Sequence, residues 1–268
     1  MERNTDTPRA AFLLLPWRTT LIVVLALIAV SAPAWVMTIH DASSMHCMVM
    51  GLGHVGSRMQ GGMSATLFLA MWMSMMTAMM LPTVAPMVLA HLAVARGRGD
   101  GVFSTIVFVV GYLLAWAAIG VVPLLALWWF SGLDDSVAQS TWLPVLAGAI
   151  LVVAGAYQFT GWKQVCLDYC QSPVAFVMTH DFRRGAAGAL NAGMMHGAFC
   201  VGCCWALMTV LVVVGLMNLV WMAGLFSLFF AEKHWRHGLA LGKVAGSALV
   251  ALGVAVMVWP SLLPLISR

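Results

Sequence analysis

Residues 186–214 read AAGALNAGMMHGAFCVGCCWALMTVLVVV, with no Lys, Arg, Asp or Glu from end to end. A helix needs about 20 predominantly apolar residues to cross a hydrocarbon core of about 30 Å, and this run is long enough. Working outward, further apolar stretches stand at 17–39, 63–91, 102–130, 142–162, 218–231 and 239–263. Hydrophobic residues fill 62% of the 268 positions, charged residues only 8%, and the mean hydropathy is +0.96. A soluble domain is nearer half apolar and a quarter charged, so no soluble surface can be built from this composition. The expected fold is all-α, a polytopic transmembrane helical bundle of about seven spans, because an isolated strand would leave backbone groups unpaired in lipid.

Basic residues then orient the spans. With the N-terminus in the cytoplasm, Arg3, Arg9, Arg18, Arg96, Arg98, Lys163, Arg183, Arg184, Lys233, Arg236 and Lys243 fall inside, and Arg58 and Arg268 outside. That bias is the positive-inside pattern of a bacterial-type inner membrane protein, and it assigns the net charge of +4 to orientation instead of nucleic acid. The expected organisation is a short cytoplasmic N-terminus (1–16), one transmembrane domain (17–263) with an external loop at 40–62, and an external C-terminus (264–268). The sixth stretch is short, but without it Lys233, Arg236 and Lys243 would move outside. Ala32-Pro33-Ala34 after the apolar run 21–30 also suits a cleavable signal peptide. The run continues through Trp35, Val36, Met37 and Ile39, however, which favours a retained span.

Sulfur is the unusual element, with 21 Met and 6 Cys gathered in particular segments. The outer loop carries Met45, His46, Cys47 and Met48. The second stretch carries two methionine stripes, Met71, Met75, Met79 and Met73, Met76, Met80, although Met is also an adaptable apolar filler. In the fifth stretch His196, Cys200, Cys203 and Cys204 share about 100° of one helix face. A buried imidazole can simply be hydrogen-bonded and a buried Cys can act as a small hydrophobe, but an ionisable group at membrane depth together with thiols points to a soft metal. Cys166 and Cys170, four apart beside Lys163, would present both thiols on one side at the inner end of the fourth stretch.

Other polar features carry less. Glu232-Lys233-His234 reads as a charged helix end facing water, and His91, His180 and His237 lie near interfaces. Pro82 and Pro86 should kink the second helix. Ala189, Gly193 and Gly197, and likewise Gly242 and Gly246, give small faces along which helices can approach closely.

The motifs Met79-Met80-Leu81-Pro82, Tyr157-Gln158 leading to Lys163, Cys166-Leu167-Asp168-Tyr169-Cys170, Gly202-Cys203-Cys204-Trp205 with Met208, and Glu232-Lys233 together resemble a family of predicted metal-binding integral membrane proteins, a domain of unknown function. The resemblance covers about 63–260 and implies metal binding.

The leading expectation is a membrane copper protein that translocates Cu(I) or delivers it to a cuproenzyme, with zinc as the second metal. Met45, His46, Cys47 and Met48 would collect the ion. His196, Cys200, Cys203 and Cys204, completed by Met76 and Met80, would hold it, with Cys166 and Cys170 on the inner side. Expected partners are the lipid bilayer, the metal ion and a cuproenzyme or membrane-complex subunit, with no nucleic acid. A binding or carrier role is favoured over an enzyme. The alternatives are a membrane-embedded oxidoreductase, either metal-dependent or using Cys166, Cys170, Cys203 and Cys204 for thiol exchange, and a noncatalytic subunit of a membrane complex.

Overall fold

The structure, a computed structural model, describes residues 15–44, 64–131, 142–173, 176 and 185–266. Among these, every regular element is helical: α1 Trp17–Ser44, α2 Ala65–Met80, a 3-10 turn Pro82–Val84, α3 Ala85–Arg98, α4 Gly101–Ile119, α5 Val121–Ser131, α6 Trp142–Tyr157, α7 Gly161–Gln171, α8 Ala186–Val214, α9 Leu219–His234, α10 Gly238–Val258 and α11 Leu262–Ile266.

Four helices are long and apolar enough to cross a membrane, and six spans result if each of two bent helix pairs counts as one. The expected span left over is the sixth, which corresponds to α9, whose 16 residues extend only about 24 Å at 1.5 Å each, short of a hydrocarbon core. Several long apolar helices are thus compatible with membrane insertion, with four to six candidate spans among the described residues by length and composition.

The two bends have local causes. Pro82 cannot continue the helical ladder, so α2 ends at Met80, a 3-10 turn follows, and α3 leaves at 42°. The second bend, 62° between α6 and α7, follows a turn at 158–160, where Thr160 caps α7 by accepting a hydrogen bond from the Lys163 backbone N–H at 3.4 Å. Helical structure in the fourth apolar stretch therefore breaks after Tyr157 and resumes, in a new direction, past Trp162 to Gln171.

Helix α8 sits at the centre, with α4, α6, α7 and α9 packed around it. Small residues set the spacing. A Cβ on Gly193 would collide with the Phe108 carbonyl, and one on Gly197 would lie 2.5 Å from the Ala115 Cβ, so α4 and α8 touch backbone to backbone. The same holds for α6 against α10, where a Cβ on Gly148 would fall 2.6 Å from the Gly253 carbonyl and one on Gly155 2.5 Å from that of Gly246. Without a hydrophobic drive between helices in lipid, this close packing is what holds such bundles together.

Candidate metal centre

The centre begins with the spacing of α8. Residues 196, 200, 203 and 204 share one face of that helix, and all four side chains are buried. The bend before α7 then carries Cys170 back against this face, its Sγ 3.7 Å from Cys203 Sγ. Cys170, Cys200 and Cys203 form a trio whose sulfurs all lie within 4.8 Å of one another. At a metal–thiolate distance of about 2.3 Å, the value for zinc, three sulfurs in a trigonal plane are about 4 Å apart. The trio needs to contract by less than about an ångström to share one ion, and its donor set suits a soft cation such as Cu(I).

The other expected ligands fall around this trio at different removes. Cys204 adjoins it, with its Sγ 3.3 Å from that of Cys203. His196 lies one turn before Cys200 in an aromatic pocket, its ring centroid 5.1 Å from Phe176, 6.0 Å from Tyr112 and 6.2 Å from Phe108, and its Nδ1 has no hydrogen-bond partner among the described residues. Cys166 also faces α8 but sits over Gly202, where a Cβ would come within 2.7 Å of its sulfur. Met76 and Met80 are fully buried on α2, and Met80 Sδ lies 3.9 Å from Lys233 Nζ. Met45, His46, Cys47 and Met48 lie outside the described residues.

The charged residues depart furthest from expectation. Glu232 and Lys233 do not form a water-facing helix end: they are 1% and 5% exposed. Lys163, counted among the inner-face charges, is 1% exposed. Lys163 Nζ donates to Glu232 Oε2 at 2.8 Å and to the Cys203 carbonyl at 2.7 Å, bracing α7 against both α9 and α8. Lys233 Nζ donates to Thr83 Oγ1 at 3.0 Å and to Cys200 Sγ at 3.1 Å, with Met80 Sδ 3.9 Å away. Tyr112 Oη lies 3.2 Å from the same Cys200 sulfur. Burying charge is costly unless it is paired, so the protein builds its interior around these three groups. Lys163 and Lys233 therefore do not report membrane orientation. His91 is likewise inside the bundle, stacked on Phe108 at 4.6 Å with Nδ1 3.2 Å from Thr105 Oγ1, while His237 is exposed and His180 lies outside the described residues.

Both helix breaks meet this point. The Pro82–Val84 turn supplies Thr83, the first turn of α7 supplies Lys163, and the last turn of α9 supplies Glu232 and Lys233. Interrupted helices at depth are tolerated where the freed backbone is buried in protein, and such breaks commonly mark binding sites.

Among the described residues, an all-helical apolar fold thus brings three cysteine sulfurs close enough to hold a metal ion, beside buried charges. The chain belongs to the PpoB2 family, described as a copper chaperone, whose family model matches residues 69–256. No curated protein and no solved structure matches it. The matched segment contains the cysteine trio, Lys163, Glu232 and Lys233, and it begins after Met45–Met48. Family membership and the cysteine cluster together suggest copper handling.

Proposed function

We propose that this protein is a membrane copper carrier that holds Cu(I) as cargo on Cys170, Cys200 and Cys203 and passes it to a copper-requiring enzyme or membrane complex. The convergence of two buried thiols, Cys200 and Cys203, and the half-buried thiol of Cys170 from a second helix, inside the segment that matches a copper chaperone family, carries the reading. Cys204 and Met80 stand next to the trio as exchange ligands, and His196, with its unpartnered Nδ1, is the next stop one turn along α8. Met76, one turn before Met80, and Cys166, over Gly202, serve as outlying sulfur on the route, while Met45, His46, Cys47 and Met48 capture the ion outside.

In this reading the chain crosses a bacterial-type inner membrane seven times, with the N-terminus inside, the C-terminus outside and α9 as a short sixth span. Arg236 and Lys243, both exposed, favour that arrangement now that Lys233 no longer counts. A thiol-exchange role is the second reading, favoured by the 3.7 Å separation of Cys170 and Cys203. Metal analysis of anaerobically purified protein decides between them. Stoichiometric copper lost in Cys200→Ser and Cys203→Ser supports the carrier; metal-free protein with substrate-dependent thiol turnover supports the exchange role.

A further inference from the structure

A lysine in the last turn of a helix normally extends to water, where it also meets the favourable end of the helix dipole. Lys233 instead folds inward. An ammonium has three protons to donate and accepts nothing. Its three hydrogen-bond partners among the described residues are Thr83 Oγ1, Cys200 Sγ and Met80 Sδ, at 3.0, 3.1 and 3.9 Å. Two of these are soft metal donors, and one belongs to the cysteine trio. The one buried carboxylate among the described residues, Glu232, is already held by Lys163 at 2.8 Å, so the charge of Lys233 leans on sulfur. The ammonium thus stands where a cation can stand, on a sulfur that the metal needs.

Resting on the copper reading above, we propose that Lys233 is a tethered cation that competes with Cu(I) for Cys200. It occupies the sulfur in the metal-free protein, yields it when cargo binds, and reclaims it as cargo leaves. Two unit charges sharing one sulfur sit within about 4–5 Å and repel in a poorly screened interior, so the lysine keeps affinity low enough for hand-over. Thr83, presented by the 3-10 turn that Pro82 enforces, is the parking place for the displaced ammonium.

The sign of one measurement separates this role from a purely structural one. A buried lysine that merely supports the site weakens both fold and metal binding when removed, whereas a competitor strengthens metal binding even as the metal-free fold weakens. Full-length protein in detergent would be titrated anaerobically with Cu(I) against a chromogenic chelator, and transfer to that chelator timed. Lys233→Met and Lys233→Gln are expected to bind roughly tenfold or more tightly and to release more slowly. Lys243→Met, the same charge change on the exposed face of α10, is expected to match the parent. Thr83→Val, nearly isosteric, removes the parking place and is expected to weaken binding severalfold; it also serves if neither Lys233 variant folds. Equal or weaker binding in a folded Lys233 variant, or unchanged binding in Thr83→Val, overturns the competition. A parent protein that binds no Cu(I) fails the copper reading itself and this inference with it.

Discussion

Lys163 Nζ and Glu232 Oε2 meet at 2.8 Å inside the bundle, joining the start of α7 to the end of α9 across 69 positions of sequence. The pair does more than neutralise itself. Lys163 also reaches the Cys203 carbonyl, and the Gln171 side-chain amide donates to the Glu232 carbonyl, so α7 is fastened to α9 at both of its ends. Cys170 lies between those two fastenings, which is why a short amphipathic helix can hold a thiol at a fixed distance from α8. Gly242 makes room for the carboxylate: a Cβ there would sit 2.5 Å from Glu232 Oε1.

Removing one partner of a buried pair strands the other. Glu232→Gln and Lys163→Met are each expected to destabilise the protein by about 3–5 kcal/mol, while the double replacement Lys163→Met with Glu232→Leu should cost much less than the two singles together. Thermal unfolding in detergent reads the coupling. Additive losses would mean that the two side chains do not depend on each other.

The glycine contacts make a graded prediction. Gly193→Ala drives a methyl into the Phe108 carbonyl and should cost about 1–3 kcal/mol. Gly224→Ala, in α9 with nothing within 4 Å of the new methyl, should be neutral or stabilising by up to about 1 kcal/mol. Comparing the two melting temperatures tests whether α4 and α8 pack as closely as described.

The lengths of the apolar runs made the helical architecture legible. The bounds of α8, 186–214, follow from the length of its uncharged run, the kink at Pro82 from proline chemistry, and the close helix faces from Gly193, Gly197 and Gly246. The α8 thiols were visible as a helix face, but their partner was not. Cys166 and Cys170 look equivalent on a straight helix, and only the 62° bend and the rotation of α7 bring Cys170 to the trio and leave Cys166 over Gly202. Glu232 and Lys233 were misplaced because charge at the end of an apolar run ordinarily faces water. The usable signal was a third charge, Lys163, within a neighbouring apolar segment: acids and bases at such depth seek one another. Thr83 and Tyr112 carried no sequence signal, since a hydroxyl beside a proline and a tyrosine in a span are both commonplace.

That difference between Cys166 and Cys170 can be measured. Cys166→Ser is expected to retain the parent's copper content, and Cys170→Ser to lose most of it, after anaerobic purification and removal of loosely held metal. Equal losses would put the ligands on α7 in the arrangement of a straight helix.

Orientation rests on charges that remain at the surface. With the N-terminus inside, Cys47 should react with a membrane-impermeant thiol reagent in intact cells, while a cysteine introduced at Arg236 should react only after permeabilisation. The opposite pattern would reverse the bundle in the membrane.

The last prediction concerns which thiols pair when the site is oxidised. Cys203 has two sulfur neighbours: Cys204 at 3.3 Å and Cys170 at 3.7 Å. Distance alone favours Cys204, but consecutive residues have Cα atoms about 3.8 Å apart, below the range of about 4.4–6.8 Å that unstrained disulfides occupy. Cys170 comes from another helix and has no such constraint. Its sulfur must approach by about 1.7 Å to reach a bond length near 2.05 Å, a movement within reach of side-chain rotation at the two cysteines. A diazene oxidant such as diamide should therefore take two electrons and two protons from the Cys170 and Cys203 thiols, leaving a disulfide between α7 and α8 and the hydrazine product. Because that bond consumes two members of the trio, the oxidised protein should no longer bind Cu(I), and reduction should restore binding. Alkylation of the remaining thiols followed by peptide mass mapping identifies the pair. A Cys203–Cys204 bridge would overturn the pairing, and full Cu(I) binding after a mapped Cys170–Cys203 bridge has formed would show that the trio is not the copper site.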